Sequence, residues 1–152
     1  MDRYEAAETI AETPLGRLSR AVDRERERDV LLKVLTFPGG LPPEDRELLR
    51  RRFVDRTDEL RQVQHVHLCR VLDAGHAEAE AWVALEAPTG RPLRDALDSG
   101  ERFTEDQALG IVGVVCDVGA AVAGQTGLPL GLSPAFIFLS DDGRVHVADA
   151  DF

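Results

Sequence analysis

A hydrophobic strand that carries one lysine constrains the fold of this 152-residue chain more than any other feature. Residues 29–35 read Asp-Val-Leu-Leu-Lys-Val-Leu, a short run of aliphatic side chains that follows a charged turn. Runs of this kind favour a strand that is covered on both faces. Burying a charge is costly, so we expect Lys33 to place its ammonium group in a cleft or at the rim of the core. The run therefore predicts a buried strand that carries one inward or cleft-facing lysine.

The segments around this strand alternate between strand and helix patterns. The predicted elements are strands at 4–12, 15–22 and 29–35, a helix from 43 or 44 to about 64, strands at 66–75 and 79–87, a short helix at 92–97, a long helix from 104 to about 123, and a hairpin of 135–139 and 144–148. Thr104 is the predicted N-cap of the long helix. The apolar part of that helix, 108–122, has small residues all round, so we expect it to be buried on most sides.

The composition is that of a soluble globular protein, with 43% hydrophobic and 30% charged residues. A net charge of −10 disfavours nucleic acid and anionic membranes as partners, because both are negatively charged. No apolar run approaches the roughly 18 residues that span a bilayer, and the acidic first residues do not resemble a signal peptide. We therefore expect a cytoplasmic protein. Cys69 and Cys116 lie far apart without ligand spacing, which predicts two reduced, buried thiols.

His65 and His67 are the residues whose spacing could suit a metal ion. No second cluster of cysteine or histidine accompanies them in the sequence, and one pair of ligands is too few for a stable site. A structural turn after the helix is the preferred interpretation, and half of a metal site is the alternative. No metal is therefore expected.

Four motifs, in order and at matching separations, resemble those of protein kinases. The strand that contains Lys33 resembles the V-A-I-K strand of that family. Residues 53–65 and 71–75 resemble helix αC, the H-P-x-I-V turn and the strand that follows it. Residues 82–90 resemble the strand and hinge beside the adenine site, and residues 132–139 resemble the L-K-P-x-N-I-L-L end of the catalytic loop. The chain is similar to the bacterial eukaryotic-type Ser/Thr protein kinases.

This resemblance extends from about Tyr4 to Phe152 and implies an α+β fold. Residues 1–88 would form a kinase-like N-lobe, an antiparallel sheet with a helix of the αC type. Residues 89–152 would form a partial helical C-lobe that ends in a β-hairpin. The resemblance therefore predicts two lobes, and fold alone does not establish an activity.

The same resemblance implies a vestigial nucleotide cleft at three positions. Lys33 matches the lysine that holds the α- and β-phosphates of ATP, and Glu86 matches the hinge. Asp149 matches the magnesium-binding aspartate of the D-F-G motif, unless Asp151 and Phe152 form a displaced version of that motif. A structural lysine at position 33 and a solvated or capping carboxylate at position 149 are the preferred interpretations of these residues.

Most other positions at which a kinase performs chemistry carry a different residue here. Residues 11–16 replace the glycine-rich phosphate loop and retain only Gly16. Arg56 stands where helix αC supplies a glutamate to the lysine. Gly131 stands in place of the catalytic aspartate, and Phe136 in place of the metal-binding asparagine. The resemblance therefore implies a catalytically inactive pseudokinase.

The predicted function is that of a protein-interaction or regulatory module without enzymatic activity. The resemblance implies that several C-lobe helices are lacking, so a partner protein or a second copy is expected to cover the incomplete C-lobe surface. No cofactor, nucleic acid or membrane contact is expected of the chain itself. Two alternatives stay open: a nucleotide-binding switch with weak ATP binding, and an enzyme with non-kinase chemistry, for which we find no nucleophile–base pair.

Overall fold

The computed structural model describes residues 3–37, 39–77 and 80–151 of the chain. An antiparallel sheet with one helix is followed by further helices and a small second sheet, so the predicted α+β fold is confirmed. The elements are β1 (Tyr4–Thr13), β2 (Gly16–Asp23), β3 (Arg28–Thr36), α1 (Pro43–Gln62), β4 (Val71–His76), β5 (Glu80–Glu86), β6 (Arg91–Pro92), α2 (Leu93–Asp98), α3 (Glu105–Thr126), a 3-10 turn (Pro134–Phe136), β7 (Ile137–Leu139) and β8 (Val145–Val147).

The described residues fall into two compact units. The first unit is drawn from Met1–Arg61 and Arg70–Ala87, and the second from Gln62–Cys69 and Pro88–Asp151. The two-lobe prediction divided the chain after residue 88, and in the structure the segment 62–69 also belongs to the second unit. That segment joins the second unit because its backbone pairs with a strand of that unit.

The first unit is built around β3. Its sheet has the strand order β1-β2-β3-β5-β4, and every neighbouring pair is antiparallel. β3 lies in the middle, and all its residues from Val30 to Leu35 are buried, Lys33 included. Because side chains alternate between the faces of a strand, continuous burial means that both faces are covered. The buried strand predicted from the sequence is therefore present, and it lies in the middle of the sheet.

The sheet of the first unit is curled, so that its two edge strands meet at one end. Arg3 precedes the edge strand β1, and Asp73 lies in the opposite edge strand, β4. Arg3 Nη1 donates to Asp73 Oδ2 at 2.8 Å, and Tyr4 Oη donates to the same oxygen at 3.1 Å. The Tyr4 ring also packs on Trp82 of β5, with the ring centroids 5.0 Å apart. These contacts close the sheet over its buried aliphatic side chains.

A buried carboxylate at the end of β2 holds the beginning of β1 in place. Asp23 is fully buried, and Arg3 donates to both of its carboxylate oxygens at 2.7 Å. These hydrogen bonds stabilise the ionised form, and they lower the pKa of Asp23 from 3.8 to about 2. Burial and a hydrogen bond to Asp73 raise the pKa of Tyr4 to about 12. The cluster therefore depends on a charged Asp23 and a neutral Tyr4.

The second unit contains a small sheet that is extended by a segment from far upstream. β6, β7 and β8 are antiparallel neighbours in that order. Leu68 forms a parallel bridge with Val147 of β8. Cys69 N–H donates to Val147 O at 2.8 Å, and Val147 N–H donates to His67 O at 2.7 Å. The predicted strand at 66–75 is therefore wrong at its start, because residues 66–70 form a turn and this bridge and β4 begins only at residue 71.

Helix α3 has the ends that its sequence predicts. Thr104 Oγ1 accepts from the Gln107 N–H at 3.2 Å, and the Gln107 side chain accepts from the Thr104 N–H at 2.9 Å. This reciprocal capping box satisfies donors that the first helical turn leaves open. Gly127 ends the helix with a φ of +73°, a left-handed conformation that favours glycine. The helix therefore starts and stops for local reasons.

The expected burial of α3 is wrong. Val118 and Val122 are the residues of the helix that are buried, whereas Leu109 and Val112 are 63% and 56% exposed. The physical reason is that neighbouring elements pack against one side of the helix only. An apolar composition on the other sides does not bury them when no element packs there.

Cys69 is buried as predicted, but Cys116 lies on the uncovered side of α3 and is exposed.

The expectation that no apolar run is long enough to span a bilayer also needs correction. By length and composition alone, Glu105–Thr126 is long and apolar enough to cross a bilayer, because an 18-residue window has a mean hydropathy of 1.7. Of that window, 11% is buried. Asp117 interrupts the apolar run, but the mean hydropathy of the window stays high.

Two residues of the sequence predictions lie outside the described residues. They are residue 79, in the predicted strand at 79–87, and Phe152.

Asp23→Asn is expected to remove a pH-dependent part of the stability. Because the folded-state pKa of about 2 lies below 3.8, the carboxylate stabilises the fold fully above about pH 4 and loses this effect as the pH falls towards 2. Urea titrations should show free energies of unfolding that differ most near neutral pH and converge at the acidic end. Asp142→Asn, at an exposed carboxylate, is the control and should change little. A gap for Asp23→Asn that stays constant with pH would contradict this account.

Candidate functional site

The Thr13 side chain forms hydrogen bonds within the β1–β2 turn. The kinase resemblance implies a phosphate-binding loop at this turn. Thr13 Oγ1 accepts from the N–H groups of Leu15 at 3.3 Å and Gly16 at 3.1 Å. The carbonyl of Leu15 in turn accepts from the Thr36 N–H of β3 at 2.9 Å. Pro14 has no N–H to offer. The backbone donors of this turn are therefore absent or already engaged within the unit.

Lys33 is the only lysine of the sequence and is enclosed by its own unit's sheet. It lies between Leu18 of β2 and Val83 of β5, and it is 4% exposed. Its Nζ lies 5.8 Å from the centre of the Phe53 ring, which α1 contributes. An ammonium group near an aromatic face is attracted by the ring's electron density. Helix α1 therefore presents an aromatic ring to the lysine.

Arg56 lies beside the inward face of α1. That face buries Phe53, Thr57 and Leu60, and the Thr57 hydroxyl donates to the Phe53 carbonyl at 2.8 Å. Arg56 is half-buried and directly precedes Thr57. The resemblance implies a glutamate at position 56. The structure instead has the guanidinium group of Arg56 on this side of the helix.

Glu86, at the hinge position, is held by a neighbour in its own unit. Arg70 donates to its two carboxylate oxygens at 2.9 and 3.2 Å, and the Glu86 N–H donates to the Arg70 carbonyl at 2.8 Å. Hydrogen bonding to Glu86 also raises the pKa of Arg70. The pair connects the end of β5 to the segment that precedes β4, which is a structural role.

The segment around Gly131, where the resemblance implies the catalytic aspartate, is packed directly against the segment around Asp149, where it implies the magnesium ligand. The Gly131 N–H donates to Asp149 Oδ1 at 2.8 Å, and the Ala150 N–H donates to the Gly131 carbonyl at 3.0 Å. Asp149 is 4% exposed. A Cβ added to Gly131 would lie 2.6 Å from the backbone nitrogen of Asp151 and 2.6 Å from its carboxylate. Only glycine allows the two backbones to approach this closely.

Phe136, at the metal-binding asparagine position, is a core residue. It ends a 3-10 turn that Ser133 caps by accepting the Ala135 N–H, and it is 3% exposed. Its carbonyl accepts from the Ala148 N–H at 2.8 Å. Phe136 therefore contributes packing at a position where the resemblance implies a ligand.

The structure brings a third histidine to the pair that the sequence singled out. The His67 ring lies 5.7 Å from the His65 ring and 6.2 Å from the His146 ring, centroid to centroid. His67 Nδ1 is 2.8 Å from the Val145 carbonyl, so this nitrogen carries a proton, and His65 Nδ1 accepts the His67 N–H at 3.2 Å. Across residues 3–37, 39–77 and 80–151, no group of three metal-binding side chains is arranged to hold an ion. His67 instead connects its segment to β8 through its hydrogen bond to the Val145 carbonyl.

A cavity of about 590 Å³ opens in the second unit; His67 lines it, but Gly131, Phe136 and Asp149 do not. Phe103, Ile111 and Val114 supply much of its apolar wall, and an ion pair between Arg91 and Glu101 lies at its rim. The cavity and the predicted chemistry are therefore separate features of this unit.

Comparison with known proteins supports the resemblance. No family model matches the chain. The chain is 26% identical, over 97% of its length, to the probable serine/threonine-protein kinase PknB of Corynebacterium glutamicum. The resemblance to Ser/Thr kinases is confirmed. The matched region corresponds to 23% of that relative's length, so this chain is similar to a minor part of the kinase.

The predicted site residues are distributed over the two units. Lys33, Arg56 and Glu86 belong to the first, and Gly131, Phe136 and Asp149 to the second. Within the second unit, Gly131 and Asp149 are in direct contact. The sequence did not reveal the contact with Asp151, although the glycine at this position was the available signal.

Gly131→Ala is expected to destabilise the chain by about 1–3 kcal/mol, because the new methyl group must displace the backbone of Asp151. Urea unfolding measures this change. Gly113→Ala is the matched control, since a Cβ at that exposed helical position meets nothing within 4 Å. The control should be neutral or stabilising by up to about 1 kcal/mol. Equal stability of Gly131→Ala and the wild type would show that the close approach is not required.

Proposed function

We propose that this chain is a catalytically inactive, kinase-like module that acts by binding a protein. The observation that carries the proposal is the close approach of Gly131 to Asp149 and Asp151. Phosphoryl transfer needs a carboxylate to receive the proton of the acceptor hydroxyl and others to hold magnesium. Position 131 has no side chain, and the space that a side chain would need is filled by Asp151.

The remaining parts of the machinery support the same conclusion. Asp149 accepts a backbone hydrogen bond inside its unit, a role that a structural carboxylate performs without metal. The Leu15 and Gly16 donors that would approach a phosphate are engaged by Thr13. Lys33 has a structural environment of its own on the face of Phe53. No cofactor is needed for the proposed role.

The proposed binding surface is the uncovered side of α3. Leu109 and Val112 expose apolar area there, next to small residues that offer no charge. Contiguous exposed apolar surface of this kind usually marks an interaction site, because burying it releases water at a favourable free energy. We propose that a protein covers this surface when the module functions, in the cytoplasm rather than in a membrane.

We expect no phosphoryl transfer from ATP in the presence of magnesium or manganese, measured with radiolabelled ATP and a general protein substrate. Lys33→Met removes the charge at similar side-chain volume and should leave the background signal unchanged. Gly131→Asp restores the residue of the resemblance, but it should not create activity, because its Cβ would clash with Asp151. Transfer by the wild type that Lys33→Met abolishes would overturn the proposal.

The same variants test the alternative of a nucleotide-binding switch. Since Lys33 is the only lysine, an acyl-phosphate derivative of ATP can label a lysine at this position alone. Labelling that excess ATP blocks, together with a thermal shift that Lys33→Met abolishes, would establish nucleotide binding without transfer. Neither signal is expected at millimolar nucleotide if the lysine is structural.

A further inference from the structure

Three hydrogen bonds attach the segment that follows His65 to strand β8. The Cys69 N–H donates to the Val147 carbonyl at 2.8 Å, and the Val147 N–H donates to the His67 carbonyl at 2.7 Å. The His67 ring adds the third, since its Nδ1 lies 2.8 Å from the Val145 carbonyl. We call these three hydrogen bonds the clasp. They lie within the second unit, and they pair residues 67–69 with β8 in parallel.

The two histidines of this segment need opposite states of their Nδ1 atoms. A carbonyl oxygen can only accept a hydrogen bond, so His67 Nδ1 carries a proton. A backbone N–H can only donate, so His65 Nδ1, which accepts the His67 N–H at 3.2 Å, carries none. A charged imidazole has a hydrogen on both ring nitrogens. Charging His67 therefore preserves its hydrogen bond, whereas charging His65 removes the acceptor and sets two donors against each other.

Proton uptake also brings like charges together. The His67 ring lies 5.7 Å from the His65 ring and 6.2 Å from the His146 ring, centroid to centroid. Two imidazolium groups at such separations repel each other. All three side chains are half-buried, so water weakens this repulsion less than it would at the open surface. Both effects favour the detached segment once a proton is taken up.

The charged groups around the rings are mostly paired with one another. His67 shares the wall of the 590 Å³ cavity with four such residues, namely Arg91, Glu101, Asp141 and Arg144. Arg91 forms an ion pair with Glu101, and Arg144 forms one with Asp142 at 3.1 Å. Asp141 is exposed, where water screens its carboxylate.

The charged residues that flank the segment along the chain are paired as well. Arg61 precedes it and contacts the Asp58 carboxylate at 3.4 Å, and Arg70 follows it and contacts the Glu86 carboxylate at 2.9 Å. Each arginine thus has a carboxylate of its own. The balance at the clasp is therefore set chiefly by the histidines themselves.

We propose that the clasp is a pH-sensitive switch and that His65 is its sensor. At the alkaline end of the range between about pH 8 and pH 5, in which histidines change charge, His65 is neutral and its Nδ1 fixes the His67 backbone for pairing with β8. As the pH falls through this range, His65 becomes a donor, the turn opens and residues 67–69 leave β8. The stabilisation by the clasp is thus present at neutral pH and lost on acidification. Because His67 lines the cavity, its release also changes the cavity's shape.

Amide hydrogen exchange of the full chain, followed by NMR and normalised to the intrinsic rate at each pH, tests the switch. The Cys69 and Val147 amides should lose about fivefold in protection between about pH 7.5 and pH 5.5, as expected for one hydrogen bond that couples to a local opening. The Leu32 amide of the central strand β3 is the internal reference and should keep its protection. EDTA in every sample removes any metal bridge between the rings. Unchanged protection of the Cys69 and Val147 amides overturns the proposal.

Exchanges at His65 separate the sensor from the turn that it holds. His65→Asn supplies a side-chain oxygen that accepts the N–H two residues on and does not titrate, so both clasp amides should stay protected at either pH. His65→Ala supplies no acceptor and should show the lower protection at either pH. His76→Asn, the same exchange at an exposed histidine of β4, is the matched control and should keep the wild-type pH dependence.

A pH dependence that persists in His65→Asn would mean that another group is the sensor, and it would overturn the proposal. So would full protection of the clasp amides in His65→Ala, because the turn would then not need its acceptor. The inference does not rest on protein binding or on the lack of phosphoryl transfer. Its failure would therefore leave the proposed function as it stands.

Discussion

A carboxylate that folding removes from water must find hydrogen-bond donors inside the protein, and the buried side chains of Asp23 and Asp149 are two such carboxylates. Asp23 meets the requirement with the guanidinium group of Arg3, and this contact fixes the start of β1 and helps to curl the sheet. Asp149 meets it in part with the backbone N–H of Gly131. Both carboxylates therefore accept hydrogen bonds within the fold, and fewer of their acceptor sites are available to a ligand.

The contact at Gly131 also makes positions 131, 149 and 151 depend on one another. Once the residue at 131 has no side chain, its backbone can approach Asp151, and Asp149 can accept its N–H. After that approach, restoring an aspartate at 131 requires moving a backbone, so the effects of changes at these positions are not additive. The fold survives because its sheets and helices depend on apolar burial, which these positions do not supply.

The sequence predicted what local pattern controls. The β3 run, the Thr104 cap and the hairpin of 135–139 and 144–148 are each determined by a few neighbouring residues. The exposure of α3 and the approach of His146 to His67 could not be predicted, because both depend on which distant segments pack together. In the candidate site, residue identity alone shows that position 131 has no side chain and that position 136 has no amide. It did not predict that Asp151 would fill the space beside Gly131.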